Sequence, residues 1–242
     1  KRNRSVKIRV GEPIPTSRMK GFLNVQAATD FLRVTVDALR VPETRPVSTF
    51  YQKPKGAVSF VSPVPAGDLA SEVRSLSEQA IMTRKGDFTV YCIQSSDAPG
   101  VMREIGRLRE LTFRSVGEGT GTALDLDNFD NHYHQLFAWD EKEQAIAGGY
   151  RIGVVGEILP DLGRKGMYTT SEFSLQRSFF KAIGPAVELG RSFIPPNYQR
   201  KFSLLGLLWR GIGEFLNRRP DLHILYGPVT ISADYSNVSR NL

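Results

Sequence analysis

Residues 188–201, with the sequence ELGRSFIPPNYQRK, decide the fold of this chain. The apolar residues around Glu188 predict a buried strand over residues 185–194. A double proline ends that strand, and apolar residues spaced three or four apart then predict an amphipathic helix over residues 197–218. A strand that leads at once into a long helix indicates an α/β fold, in which helices cover a sheet.

Four polar residues open the predicted helix: Asn197, Gln199, Arg200 and Lys201. The first turn of a helix presents unpaired N–H groups and the positive end of the helix dipole. Such a turn therefore suits a phosphorylated ligand, for example the pantetheine arm of a carrier. A solvated first turn explains the same residues without a ligand.

Glu188 and Arg191 place an acid and a base three positions apart on the predicted strand. Side chains three apart on a regular strand point to opposite faces, so both reach one cleft only if a β-bulge intervenes. Burial would raise the pKa of Glu188, as a base for an ammonium nucleophile requires. A buried ion pair with neighbouring elements is the alternative.

The composition is that of a globular protein, with 242 residues, 40% hydrophobic and 24% charged. No apolar run reaches the roughly 18 residues of a membrane-spanning helix, and the start lacks the apolar segment of a signal peptide. We expect both ends to be cuts through a longer protein. The single cysteine, Cys92, excludes an internal disulfide and a cysteine-rich zinc site, and it fits a reducing compartment.

The net charge of +7 favours anionic partners, such as an acidic carrier protein or a membrane face. A nucleic acid partner is not expected, because the sequence has neither a dense Lys/Arg stripe nor a known reader motif.

A proline-rich segment predicts a division of the chain into three parts. Residues 1–45 contain a predicted strand (4–11) and a predicted amphipathic helix (22–40). Residues 46–67 have the composition of a linker. Residues 68–242 form the main domain.

The main domain alternates helices and strands. Helices are predicted over 68–84, 99–114, 171–182 and 197–218, and strands over 88–93, 136–139, 145–155, 185–194 and 222–232. Residues 117–121, GEGTG, are predicted to be a mobile loop. This order, with an antiparallel hairpin ahead of later strand–helix units, predicts a mixed α/β sheet.

Residues 125–134 carry three aspartates and two histidines. They lack the glycine and terminal glutamate of an EF-hand loop, and the chain has no HExxH motif, so no metal is expected. We expect these acids to hold nearby arginines or to receive the amine of an acceptor. His134 is either a structural histidine or a catalytic one.

Arg109 has no acidic partner three or four positions away on the helix predicted over 99–114, and Phe113 follows one turn later. We expect this pair to face the loop 117–121 as part of an acceptor lid. The chain has no GxSxG elbow, so a serine hydrolase is not expected.

Five motifs occur in one order: Arg109 with Phe113, Asp127 with Asp130, GYR at 149–151, Glu172 with Phe173, and ELGR at 188–191. Over about residues 86–242 this order resembles the GNAT-like, acyl-carrier-protein-dependent N-acyltransferases of ornithine-lipid synthesis. It is similar, more distantly, to the acyl-homoserine-lactone synthases.

Two further stretches extend the resemblance. EIGRLRE at 104–110, together with GEGTG, resembles the bacterial hemolysin-like subgroup, in which such a domain follows a phospholipid acyltransferase. Residues 1–40, with VGEPI at 10–14, resemble the tail of that glycerolipid (lysophospholipid) acyltransferase. The HxxxxD motif of the latter enzyme is absent, so its activity is not expected here.

The resemblance implies a GNAT-like fold: a mixed, mostly antiparallel sheet flanked by helices, with a splayed strand pair that admits the thioester and its pantetheine arm. By analogy, the catalytic residues are Arg151, Glu188 and Arg191. The implied substrate-binding residues are Arg109, Phe113, Asp127, Asp130, His134 and Glu172, and Asn197, Gln199, Arg200 and Lys201 bind the carrier.

The implied activity is transfer of a (3-hydroxy) fatty acyl group from acyl-carrier protein to the amine of an amino acid such as ornithine, in aminolipid synthesis. No bound cofactor is implied, and the co-substrate is an acyl-carrier-protein thioester or acyl-CoA. PPNYQ stands where ordinary GNAT enzymes have the Q/RxxGxG/A loop, which favours the carrier protein. The implied location is cytoplasmic, with peripheral attachment to the inner membrane surface. The alternatives are a non-catalytic carrier- or membrane-docking module and an acyl-homoserine-lactone-type signal synthase.

Overall fold

A computed structural model describes residues 13–38, 58–201 and 203–229. Residues 13–38 belong to one compact unit and the described residues from 58 to 228 to a second. The first unit contains helices α1 (Thr16–Lys20) and α2 (Val25–Ala38). The helix predicted over 22–40 thus begins at Val25, and the rings of Phe22 and Phe31 lie 5.1 Å apart beside it. The strand predicted over 4–11 lies outside the described residues.

The second unit is built on one six-stranded sheet in the order β1 to β6. The strands are β1 (Ile81–Lys85), β2 (Phe88–Ile93), β3 (His134–Asp140), β4 (Ala145–Val154), β5 (Ala186–Phe193) and β6 (Ile224–Tyr226). Neighbours from β1 to β5 are antiparallel, and β5 and β6 are parallel. The predicted mixed, mostly antiparallel sheet is confirmed.

Helices cover both faces of this sheet. On one face, α3 (Ala66–Ser75) and α4 (Pro99–Ser115) pack against β-strand residues such as Phe137. On the other, α8 (Ser203–Asn217) packs against residues such as Leu136. The period of two along β3 therefore divides the core into two layers. In α8, Gly211 permits close approach, since a Cβ there would lie 2.6 Å from Val90 Cγ1.

Three helices lie between β4 and β5: α5 (Val155–Leu162), α6 (Thr169–Glu172) and α7 (Arg177–Ile183). Apolar residues of α5 and α7 form a third apolar cluster with Tyr133 and Ala186. The helix predicted over 171–182 is thus interrupted, and α5 begins where the strand predicted over 145–155 was expected to finish. None of the helices in the described ranges is long and apolar enough to cross a membrane.

The helix predicted over 68–84 is wrong in its second half. α3 ends at Ser75, and β1 pairs with β2 through a hairpin whose turn contains Gly86. Gly86 has φ 57°, which glycine adopts without strain. Pairing with β2 across this hairpin makes residues 81–85 a strand instead of the end of a helix.

α4 is held at its start by α3. Its first residue is Pro99, and the Glu72 carboxylate accepts hydrogen bonds from Gly100 N (3.0 Å) and Val101 N (2.9 Å). These bonds satisfy N–H groups that a helix cannot pair internally. The anchored helix carries Arg109 into the interior of the domain, where its side chain is fully buried.

Candidate active site

β5 contains a β-bulge where it pairs with β4. Gly149 lies opposite Phe193 and Arg151 lies opposite Gly190, so two residues of β5 stand against one of β4. Arg191, in the bulge, has φ 48°, in the left-handed region that is uncommon for residues other than glycine.

The bulge decides the side on which Arg191 lies. Arg191 Nη1 donates to Tyr168 Oη at 3.1 Å, and Glu188 accepts from the next residue, Thr169. Both charged side chains of the ELGR motif therefore reach the same segment. A regular strand would have sent them to opposite faces.

On this face, arginines and aspartates alternate in one network of ion pairs: Arg109, Asp130, Arg151, Asp127, Arg191 and Asp125. We call this set the charge network. Among the described residues, no group of His, Cys, Asp and Glu side chains is arranged to hold a metal ion.

The inner part of the charge network is the most deeply buried. Arg109 donates from Nη1 to Asp130 Oδ1 at 2.8 Å and from Nη2 to Gln135 Oε1 at 2.6 Å. Arg151 Nη1 lies 3.4 Å from Asp130 Oδ1 and donates to Asp127 Oδ1 at 2.6 Å. Burial alone would raise the pKa of Asp130, but Arg109 and Arg151 outweigh burial and lower that pKa below its usual range.

A 3-10 turn over Asn128–Asn131 sets the spacing of the two aspartates. Asp127 Oδ1 accepts from Phe129 N at 2.9 Å, and Asp130 Oδ2 accepts from Asp127 N at 2.9 Å. This reciprocal capping box explains why the two acids stand three residues apart. It also fixes both carboxylates towards Arg151.

Arg151 is enclosed by aromatic rings. Its Cζ lies 5.0 Å from the ring centroid of Tyr168, 5.2 Å from that of Tyr133 and 5.5 Å from that of Phe129. Its Nε and Nη2 have no hydrogen-bond partner within the described ranges. The cation–π contacts therefore replace part of the hydration that the buried guanidinium has lost.

The charge network opens to solvent at Asp127 and Arg191. The side chains of Arg109 and Arg151 are 1% exposed, whereas those of Asp127 and Arg191 are 27% and 21% exposed. Arg191 Nε lies 3.2 Å from Asp125 Oδ2, and Arg191 Nη2 lies 3.5 Å from Asp127 Oδ2.

Glu188 is buried beside this network, with 1% exposure. It accepts hydrogen bonds from Thr169 N (3.1 Å), Thr169 Oγ1 (2.7 Å) and Tyr226 Oη (3.1 Å). Burial raises the pKa of Glu188 above its usual value, although these hydrogen bonds oppose the change.

The parallel pairing of β5 with β6 ends at Glu188, which lies opposite Tyr226. Gly227, which follows β6, is so close to β5 that a Cβ there would lie 2.1 Å from Leu189 O. β5 continues to Phe193, but β6 ends at Tyr226. The buried carboxylate thus marks the point where the strand pairing stops.

Glu110, one residue beyond Arg109, anchors the glycine-rich loop. Its carboxylate accepts hydrogen bonds from Thr120 N (2.9 Å), Thr120 Oγ1 (2.7 Å) and Gly121 N (2.8 Å), and it pairs with Arg114 at 2.8 Å. Burial would raise the pKa of Glu110, but these hydrogen bonds lower it overall. The loop predicted to be mobile is therefore tied to α4 through a buried acid.

The structure brings six of the sequence-predicted site residues together: Arg109, Asp127, Asp130, Arg151, Glu188 and Arg191. Phe113 instead packs, partly buried, against the cluster formed with α3 and α4. Glu172 is exposed at the end of α6 and accepts a hydrogen bond from Ser171 Oγ at 3.3 Å.

His134 lies on the opposite face of the sheet. Its Nε2 is 3.1 Å from Glu157 Oε2, its Nδ1 is 3.0 Å from Gln94 Nε2, and its ring lies edge-on to Phe215 of α8. It lines a pocket of about 680 Å³ together with Cys92. Burial raises the pKa of the Cys92 thiol to about 12, so this cysteine stays a neutral strand residue.

The expectation that Asn197, Gln199, Arg200 and Lys201 open a helix is wrong, because α8 begins at Ser203. All four are exposed, in the turns between β5 and α8. Gln199 Nε2 donates to Ile194 O at 3.1 Å. Lys201 Nζ lies 3.6 Å from Asp140 Oδ2 and 4.8 Å from the ring centroid of Tyr198.

Sequence reasoning missed three neighbours of the charged groups: Tyr168, Thr169 and Tyr226. Tyr226 lies within the strand predicted over 222–232, and a parallel register between that strand and β5 would have placed it near Glu188. Tyr168 and Thr169 precede the helix that was predicted to start at 171, and no local pattern marked them.

The mostly antiparallel six-stranded sheet flanked by helices is consistent with the GNAT-like fold that the sequence resemblance implies. Residues 108–210 match a family model described as acetyltransferase (GNAT) domain. The matched region contains every member of the charge network, together with Glu188.

Two relatives are glycine N(alpha)-acyltransferases, one from Phocaeicola vulgatus and one from Bacteroides thetaiotaomicron. The chain is 34% identical to the first over 194 residues and 35% identical to the second over 172 residues. These matches cover 76% and 66% of this chain, and 59% and 51% of the relatives. The chain thus spans between half and three fifths of their length. The matches support the GNAT part of the resemblance, and neither relative bears the name of an ornithine-lipid enzyme.

Proposed function

We propose that this chain carries an N-acyltransferase domain, which transfers a fatty acyl group from a thioester to the amine of an amino acid. The observation that carries the proposal is the buried Glu188 at the end of the β5–β6 pairing, beside the charge network, within the region that matches the GNAT model. The names of the two relatives make glycine the first acceptor to test. Ornithine, with a role in aminolipid synthesis, is the acceptor that the sequence resemblance implies.

In the proposed reaction the amine nitrogen attacks the thioester carbonyl carbon. A C–N bond forms, the C–S bond breaks, and the products are an amide and a free thiol. An acceptor ammonium loses two protons: one returns to the departing sulfur, and the other leaves through a base to solvent. Glu188 is our candidate base, because burial raises its pKa and so makes it a stronger base than an ordinary glutamate.

We propose that the proton reaches Glu188 through a hydroxyl group. Glu188 is only 1% exposed, whereas Tyr226, which donates to it, is half-buried. The Tyr226 hydroxyl can pass its proton to Glu188 while it accepts one from the amine.

Attack of the amine on the thioester places negative charge on the carbonyl oxygen. The bulge at Arg191 interrupts the β4–β5 ladder, and its backbone N–H groups are candidates to stabilise that charge.

We propose acyl-carrier protein as the donor, with acyl-CoA as the alternative. The net charge of +7 and the exposed Arg200 and Lys201 ahead of α8 support an acidic carrier. PPNYQ, in place of the usual CoA loop, supports the same choice. An amide-linked fatty product would partition into lipid, which supports a peripheral place on the cytoplasmic membrane face.

The test is to incubate the purified chain with acyl-carrier protein or acyl-CoA and with glycine, ornithine or no acceptor. We expect free thiol to appear only when an amino acid is present, together with the N-acyl amino acid in mass spectra. Binding of the carrier without thiol release from either donor would instead favour a non-catalytic docking module. If thiol is instead released when S-adenosylmethionine is added as the acceptor in place of an amino acid, the result would favour a lactone-type synthase.

A further inference from the structure

We infer that Asp127 and Arg191 form a subsite for a zwitterion, with the acceptor's ammonium on Asp127 and its carboxylate on Arg191. The inference rests on the proposed acyltransferase function and narrows its substrate class. The acceptor must carry a free carboxylate close to its amine, as an α-amino acid does. Simple amines, amino amides and amino esters lack that group.

The first support is the gradient of burial along the charge network. Its inner arginines are 1% exposed and Asp130 is 6% exposed, so no solute reaches them from solvent. Asp127 and Arg191, at 27% and 21%, are the pair that a small molecule can contact. A cation and an anion side by side at the open end match the two charges of an amino acid.

The second support is that the contact between Asp127 and Arg191 is weak, so a ligand can replace it. Asp127 Oδ1 is occupied, since it accepts from Arg151 Nη1 at 2.6 Å and from Phe129 N at 2.9 Å. Asp127 Oδ2 has a long contact, 3.5 Å, with Arg191 Nη2. This distance is at the weak limit of hydrogen bonding. A bound zwitterion would replace one long contact by two shorter, charge-assisted ones.

The third support is charge balance. The network contains three arginines and three aspartates, whose formal charges cancel. A zwitterion adds no net charge to this partly buried site. An amine without a carboxylate would add a positive charge beside Arg191, which is unfavourable where solvent screening is reduced.

The fourth support is the position of the subsite relative to the base. Tyr168 Oη accepts from Arg191 Nη1, and the next residue, Thr169, donates to Glu188 from both its N and its Oγ1. The proposed subsite and the proposed base therefore contact adjacent residues of one segment, Tyr168 and Thr169. The left-handed backbone of Arg191 is held by these contacts and by Asp125, as expected for strain kept at a functional site.

The experiment compares glycine with glycinamide, which keeps the amine but lacks the carboxylate. One charged hydrogen-bonding contact contributes about 1.5–3 kcal/mol, or roughly 10- to 100-fold. We expect the wild-type kcat/KM for glycine to exceed that for glycinamide by about this factor. In Arg191→Gln the ratio should fall towards one, mainly through a higher KM for glycine. Arg191→Lys should restore part of the ratio.

The matched control is Arg103→Gln, since Arg103 is an exposed arginine of α4 whose Nη1 donates to Ser62 O. It should leave the ratio unchanged, and thermal melting checks the fold of each variant. An undiminished ratio in Arg191→Gln would overturn the inference, as would an equal loss for both acceptors.

Donor-free binding separates this inference from the proposed function. Line broadening of [13C]glycine on addition of protein should occur with the wild type and disappear with Arg191→Gln. Such binding without any turnover would support the subsite and contradict the transferase. Turnover that treats glycine and glycinamide alike would support the transferase and contradict the subsite. Neither binding nor turnover would contradict both.

Discussion

Replacing Glu188 with glutamine separates the charge of this residue from its shape. Glu188 Oε1 accepts from Thr169 N, and Oε2 accepts from the hydroxyl groups of Thr169 and Tyr226. A glutamine with its carbonyl at the Oε1 position keeps the first bond. Its NH₂ group can donate to both hydroxyl oxygens once these hydroxyls rotate. All three hydrogen bonds therefore survive, and the negative charge is removed.

Two magnitudes follow from this geometry. The free energy of unfolding should change by no more than about 1 kcal/mol, because no buried polar group loses its partner. Loss of a general base should lower kcat by about 100- to 10,000-fold, which corresponds to about 3–5 kcal/mol in activation free energy. KM for the amino acid should change little, since the charges proposed to bind it lie on Asp127 and Arg191.

The assay is continuous detection of free thiol from the acyl donor, measured between pH 5 and 9. Because the base must be ionised, wild-type kcat/KM should rise with pH through the pKa of Glu188, which burial raises above the usual glutamate value. In Glu188→Gln this rise should disappear. Turnover within about threefold of wild type, with the same pH profile, would refute the role of Glu188 as base.

Three further predictions concern residues around Glu188 and α4. Because the Tyr226 hydroxyl is proposed to relay the proton, Tyr226→Phe should lower kcat about 10- to 100-fold with little change in unfolding free energy. An unchanged kcat would contradict this relay role. Arg109→Met should lower the unfolding free energy in urea by about 3–5 kcal/mol, because it leaves the carboxylate of Asp130 buried beside one arginine fewer. Glu110→Gln should weaken the pH dependence of stability. The pKa of Glu110 is lower in the folded state than in the unfolded state, so this residue stabilises the fold at pH values above about 4.3, the usual glutamate pKa. This stabilisation is lost as the pH falls through the folded-state pKa. The same pH dependence of stability in Glu110→Gln and the wild type would contradict this prediction.

The sheet was largely predictable because its strands are marked by strong local patterns. Continuous apolar runs predicted β2 and β5, and a turn at 141–143 predicted the β3–β4 hairpin. β1 was missed because its apolar spacing continues that of α3, and only pairing with β2 makes it a strand. The start of α8 was misplaced because Tyr198 extends the apolar stripe, whereas Pro196 and the following turns delay the helix.

Most residues of the candidate site could be predicted from the sequence, but their arrangement could not. Arg109 lacks a partner on its own helix and was expected to face the loop 117–121 as part of a lid. That expectation is wrong, because Arg109 is buried and bonded to Asp130. The shared side of Glu188 and Arg191 depends on a bulge that no residue pattern announces. The alternation of side chains along β3 explains why His134 lies outside the site. Its neighbour Gln135 bonds Arg109, so His134 must face the opposite layer.

The most direct test of the central claim is a mass measurement of the product. The purified chain is incubated with an acyl-carrier-protein thioester and either glycine or [15N]glycine. We expect an N-acylglycine whose mass is one unit higher with the labelled amino acid. It should form at the rate at which free thiol appears, and its formation should be reduced at least about 100-fold in Glu188→Gln. Thiol release that yields only free fatty acid, with no label in the acylated product, would contradict it.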